Sequence, residues 1–132
     1  MLQPKVWVIK EKKVIDVHAI DFVNKIIFQN TGGRTKKFYP FDEVEFMENT
    51  GLKDKHGDYV YVGSILTDEG VLGDDYWDYA TVEKDINEGY YISWENNEFS
   101  ESLYECSAYS VVGNIYENKE LVEWRKIHIN KK

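Results

Sequence analysis

Apolar residues recur at every second position along most of this chain, and that spacing constrains the fold more than any other feature. Side chains of an extended strand point to opposite faces in turn, so period two marks strands with one buried face. An amphipathic helix needs a period near 3.6. Residues 6–9, Val-Trp-Val-Ile, predict a first strand. A charged turn at 10–13 returns it as a hairpin into residues 14–19. Residues 25–29 form the next predicted strand, closed by Asn30-Thr31-Gly32-Gly33, with residues 36–41 as its partner. Residues 44–47 follow, then a sharp change of direction at Gly51, where the missing Cβ permits positive φ. A polar turn at 53–58 leads into a strand at 59–62, with Gly63 as a bulge or bend and 64–67 as a continuation. Residues 89–94 and 111–116 are the last predicted strands, the first of them ending in a turn at 95–98. Asn118 then reads as the N-cap of a short helix over 119–126, with Leu121, Val122 and Trp124 on its apolar side.

The stretch 68–79 breaks the pattern. It holds two glycines, five acids and three aromatics, and reads as a loop or short edge element. The 10 Tyr, 6 Phe and 4 Trp of the whole chain favour pleated, half-buried surfaces. The expected fold is mainly β: a small antiparallel, barrel-like (SH3-like) β domain with hairpins and a short C-terminal helix. Its 132 residues fit one domain, residues 1–132.

Charge is unevenly laid out. Residues 1–37 carry 8 Lys/Arg against 3 Asp/Glu, residues 38–123 carry 4 against 21, and residues 124–132 carry 4 and no acid. Basic ends thus flank a strongly acidic middle, which keeps the chain soluble and suits a basic partner. Trp7, Phe28, Phe38 and Tyr39 do lie among Lys5, Lys10, Lys12, Lys13, Lys25, Arg34, Lys36 and Lys37. Even so, the net charge of −8 opposes phosphate, so nucleic acid is not the expected ligand.

Catalytic and metal motifs are missing. No phosphate-cradling loop or dinucleotide fingerprint is present. His18, His56, His128 and Cys106 are scattered, whereas zinc ligands come in close pairs. Residues 54–58 look like part of a calcium loop but lack its alternating carboxylates. Asp74, Asp75 and Asp78 could at most chelate weakly. Glu101 and Glu105 beside Cys106 oppose thiolate formation, so Cys106 reads as a small core residue. No cofactor is expected, and the chain is read as a non-enzyme. A lone cysteine excludes an internal disulfide. With no apolar leader in residues 1–10 and no run approaching 18 apolar residues, a cytoplasmic location without membrane contact is expected.

Three segments carry a resemblance. Residues 41–66 contain Thr50-Gly51-Leu52-Lys53-Asp54 and His56-Gly57-Asp58. Residues 111–121 contain Gly113-Asn114-Ile115-Tyr116-Glu117-Asn118, and residues 5–16 form the opening hairpin. In this order they resemble the YopX family of phage and prophage proteins. Two departures stand out: Ser64 where that family usually has an acid, and Lys119 where it commonly has Pro at the first helical position. The resemblance implies a small β-rich fold with a barrel-like part, encoded on a mobile element and acting in a bacterial host's cytoplasm. It supplies no catalytic residues.

The expected function is a non-enzymatic binding or self-assembling module, with a homo-oligomer as its state. Leu72, Tyr76, Trp77 and Tyr79 are its candidate contact residues, because aromatics anchor interfaces. The alternative is an acidic decoy for a basic, nucleic-acid-binding host protein. Direct nucleic-acid binding ranks below both.

Overall fold

A computed structural model of the chain describes residues 3–29, 37–68, 79–94 and 99–122. The chain divides into two compact units, Met1–Asn49 and Thr50–Lys132.

The first unit is one antiparallel sheet. Strands β1 (Lys5–Val8), β2 (Lys13–Asp21), β3 (Ile26–Gln29), β4 (Phe38–Pro40) and β5 (Val44–Met47) lie in the order β4-β3-β2-β1-β5. The period-two pattern decides the buried face. Val6, Val8, Ile15, Val17, Ile27, Tyr39 and Val44 form the core, with Ile20 and Phe41 packed at its margin. The register of β2 against β3 shifts between Val17 and Ala19. The bulge bends the nine-residue strand β2, so one strand serves both halves of the sheet. At the β2–β3 hairpin tip, Asp21 Oδ1 accepts the amides of Val23 and Asn24, each at 3.0 Å. Lys25 then takes φ +56° to close the turn.

The second unit opens with a two-stranded ribbon, β6 (Asn49–Lys53) and β7 (Tyr59–Tyr61). A five-stranded antiparallel sheet follows in the order β11-β10-β9-β8-β12. Its strands are β8 (Ser64–Thr67), β9 (Tyr79–Asp85), β10 (Gly89–Trp94), β11 (Phe99–Ser102) and β12 (Ser110–Asn114). A 3-10 stretch, Leu103–Ala108, links β11 to β12, and Ser102 Oγ caps it by accepting the Tyr104 amide. Val60, Leu66, Ala80, Val82, Ile92, Trp94, Leu103 and Cys106 form this unit's core. Strand β8 sits between β9 and β12, and all four of its residues are buried.

The mainly β, antiparallel reading and the short C-terminal helix hold; residues 119–122 are helical. The barrel does not close among the described residues, and both five-stranded sheets are open. Gly51 takes the expected positive φ, +82°, and does so within strand β6. Gly63, at φ +97°, separates two strands instead of bending one. Strand β7 pairs within the ribbon, while β8 pairs with β9 and β12. Strand β9 falls outside the predicted strands, because its charged second half (Glu83-Lys84-Asp85) masks the alternation of its first.

Candidate interaction surface

The motifs that stand out in the sequence are used up in holding the second unit together. Asp54 is buried, and its carboxylate collects three backbone amides. Oδ1 accepts from His56 at 2.9 Å and Asp58 at 2.8 Å, and Oδ2 accepts from Val111 at 2.9 Å. Burial pushes this carboxyl up, but the amides of Val111, Asp58 and His56 outweigh it and hold the group below the ordinary aspartate value. Thr50 Oγ1 donates to the Val60 carbonyl at 2.6 Å and accepts from the Leu52 amide. The six-residue motif at 113–118 is a second lock. Asn114 Oδ1 accepts the amides of Tyr116 and Glu117, and Asn118 Oδ1 accepts the Asn114 amide. A Cβ on Gly113 would clash with the Asn118 side chain and displace it from the Asn114 amide. The Ser64 departure has a structural use: its buried Oγ accepts the Tyr61 amide at 2.9 Å, capping the turn at Gly63.

A further polar cluster of this unit is also internal. Glu101 Oε1 accepts both the Trp94 indole N–H and the Tyr109 hydroxyl, and the two rings meet edge to face at 5.0 Å. Burial, with Glu101 next, pushes the Tyr109 hydroxyl far above the ordinary tyrosine range, so it serves as a fixed donor. Cys106 is buried, its Sγ donates to the Lys53 carbonyl, and burial followed by the nearby Asp54 charge raises its pKa. That is the reverse of what a nucleophile requires. Among the described residues no three His, Cys, Asp or Glu side chains converge as metal ligands. None of the described helices is long and apolar enough to cross a membrane.

The first unit carries an apolar surface left open. Pro4, Ile20, Phe22, Phe41, Phe46, Glu48 and Asn49 line a groove of about 500 Å³. Phe41 forms its floor, meeting Phe22 edge-on at 6.1 Å and Phe46 edge-on at 5.3 Å. Phe22 comes from the β2–β3 tip and is 67% exposed, and Phe46 comes from edge strand β5 and is 40% exposed. Beside the groove, Val23 at the same tip is 90% exposed. Clusters of open aromatics of this kind are the usual anchors of protein interfaces.

Of the residues singled out from sequence, Leu72, Tyr76 and Trp77 lie outside the described residues, as do Asp74, Asp75 and Asp78. Tyr79 opens β9, half-buried and opposite Thr67. The groove was missed because its aromatics are spread over residues 22–46 and only the hairpin brings them together. A local signal did exist. Asp21-Phe22-Val23-Asn24 places two large apolar residues where a turn ordinarily has polar ones.

The fold and its surface define a class: an antiparallel β protein of two compact units, with its distinctive motifs committed to structure and an aromatic groove on the first. The YopX protein family model matches residues 5–123, across both units, and the chain belongs to that family. Among solved structures it is similar to the crystal structure of protein EF1440 from Enterococcus faecalis. The two share 22% identity at a TM-score of 0.64, over 91% of this chain and 96% of that one. At this identity the likeness speaks for the fold alone. No curated protein matches the chain.

Proposed function

We propose that this chain is a non-enzymatic, self-assembling binding module of a prophage-type system in the bacterial cytoplasm, and that the first unit's aromatic groove is its contact surface. The open Phe22–Phe41–Phe46 cluster carries this reading. Charge supports it. Residues 1–49 hold 8 Lys/Arg against 7 Asp/Glu, whereas residues 50–132 hold 8 against 17. Two copies repel through their second units and meet without repulsion through their first. Light scattering on the purified chain at low and high salt tests the reading. An oligomer that persists in high salt is the expected result, and a monomer at both salts overturns it.

The acid excess of the second unit favours a second reading, the decoy. A basic, nucleic-acid-binding host protein would then be captured at low salt and released as salt screens the attraction. Absence of any such protein from low-salt pull-downs rules the decoy out.

A further inference from the structure

The 3-10 stretch Leu103–Ala108 is a thin cover over the second unit's core. Of its side chains only Leu103 and Cys106 are buried, packed into the cluster that holds Val60, Ile92 and Trp94, while Tyr104, Glu105, Ser107 and Ala108 face solvent. Both ends of the stretch are fixed. Ser102 pairs with Tyr91 in the β10–β11 ladder, and Tyr109 is held through its hydroxyl by Glu101 and through its ring by Trp94. The stretch and its exit are tied to one turn of the ribbon, residues 53–58. Cys106 Sγ donates to the Lys53 carbonyl at 3.4 Å, the Lys55 amide donates to the Tyr109 carbonyl at 2.8 Å, and Asp54 Oδ2 accepts the Val111 amide at 2.9 Å. Asp54 Oδ1 shapes the same turn by accepting the His56 and Asp58 amides, so one carboxylate sets both the turn and its grip.

We propose that Leu103–Ala108 is a flap that lifts from the core as a unit while the sheet stays paired, and that the Asp54 turn is its catch. A segment anchored by two buried side chains opens at a lower free energy than a strand such as β8, whose four residues are all buried. The lifted flap uncovers Cys106 and the apolar residues beneath it, which the closed form shields from solvent. The device is conformational and does not depend on how copies of the chain assemble.

Cys106 is the chain's one cysteine, so thiol chemistry reads the flap alone. The full chain is treated with excess dithiodipyridine at neutral pH, over denaturant concentrations below the melt. The expected reaction rate depends on denaturant far less steeply than global unfolding does, the mark of an opening that exposes little surface. Asp54→Asn should speed the reaction without denaturant by about 10-fold or more, through loss of the charge-assisted bonds that hold the catch. Asp21→Asn, on a turn of the first unit, should leave the rate unchanged. A wild-type slope equal to that of the melt means that Cys106 is reached only by global unfolding; it overturns the flap and needs no variant. A shallow slope with an Asp54→Asn rate equal to that of the wild type overturns the catch.

Discussion

The β2–β3 and β9–β10 hairpins turn in the same way and present different surfaces. In each, an aspartate Oδ1 accepts the amides two and three residues on: Asp21 from Val23 and Asn24, Asp85 from Asn87 and Glu88. In each, the fifth residue takes positive φ, Lys25 at +56° and Gly89 at +84°. An exposed apolar residue follows each aspartate, Phe22 or Ile86. Ile86 stands within the acidic unit, whereas Phe22 leans on Phe41 at the edge of an aromatic groove. The turn therefore says nothing about function; the surroundings of its second residue do. A third aspartate turn, at Asp54, extends the comparison inward. Its Oδ1 accepts the amides two and four residues on, His56 and Asp58, the positive φ falls on its fourth residue (Gly57, +86°), and its second carboxylate oxygen reaches 57 residues along the chain to Val111.

The three turns should therefore break differently. Asp54→Ala leaves three amides without an acceptor in a buried place and should cost about 3–5 kcal/mol, read from denaturant melts. The same carboxylate sets an acid limit. Its folded pKa lies below its unfolded one, so its contribution is complete above about pH 4 and is lost as pH falls through the folded value. Asp54→Asn should flatten the acid limb of a stability–pH curve, and an unchanged limb would show that other carboxylates control it. Gly89→Ala forces a Cβ into positive φ and should cost about 1 kcal/mol although the space around it is open. Lys25→Gly relieves the same strain at the equivalent site and should gain about 0.5 kcal/mol. Asp21→Ala should lower the melting temperature by only a small fraction of the Asp54→Ala shift, since its partners are exposed. Equal shifts at Asp21 and Asp54 would show that the local turn, rather than the reach to Val111, supplies the stability.

How much was legible in the sequence follows from which physical signals are local. The hairpin of β1 and β2 and the strands β3, β5, β7 and β10 were readable because alternation and turn chemistry act over a few residues. Strand β9 escaped, although Asp85 and Gly89 mark its turn, because Glu83, Lys84 and Asp85 are polar on both faces. The two five-stranded sheets were not legible, since pairings such as β1 with β5 and β8 with β12 depend on contacts far apart in sequence. The aromatic groove escaped for the same reason. Asp54 drew attention as a failed calcium ligand; its role as an amide acceptor depends on Val111, which no local pattern points to.

Strand β8 carries a further consequence, one of timing. Ile65 and Leu66 are fully buried, yet one flank of their strand is closed only by β12, with Thr67 pairing Ser110. On a ribosome adding roughly 5–20 residues per second, that flank stays open for several seconds after β8 is made. During that interval the nascent chain displays an apolar strand with unpaired backbone groups, the template on which chains aggregate. A message cut short before the codon for Ser110 would leave that display permanent, so the last described strand protects the newborn protein as well as finishing its sheet.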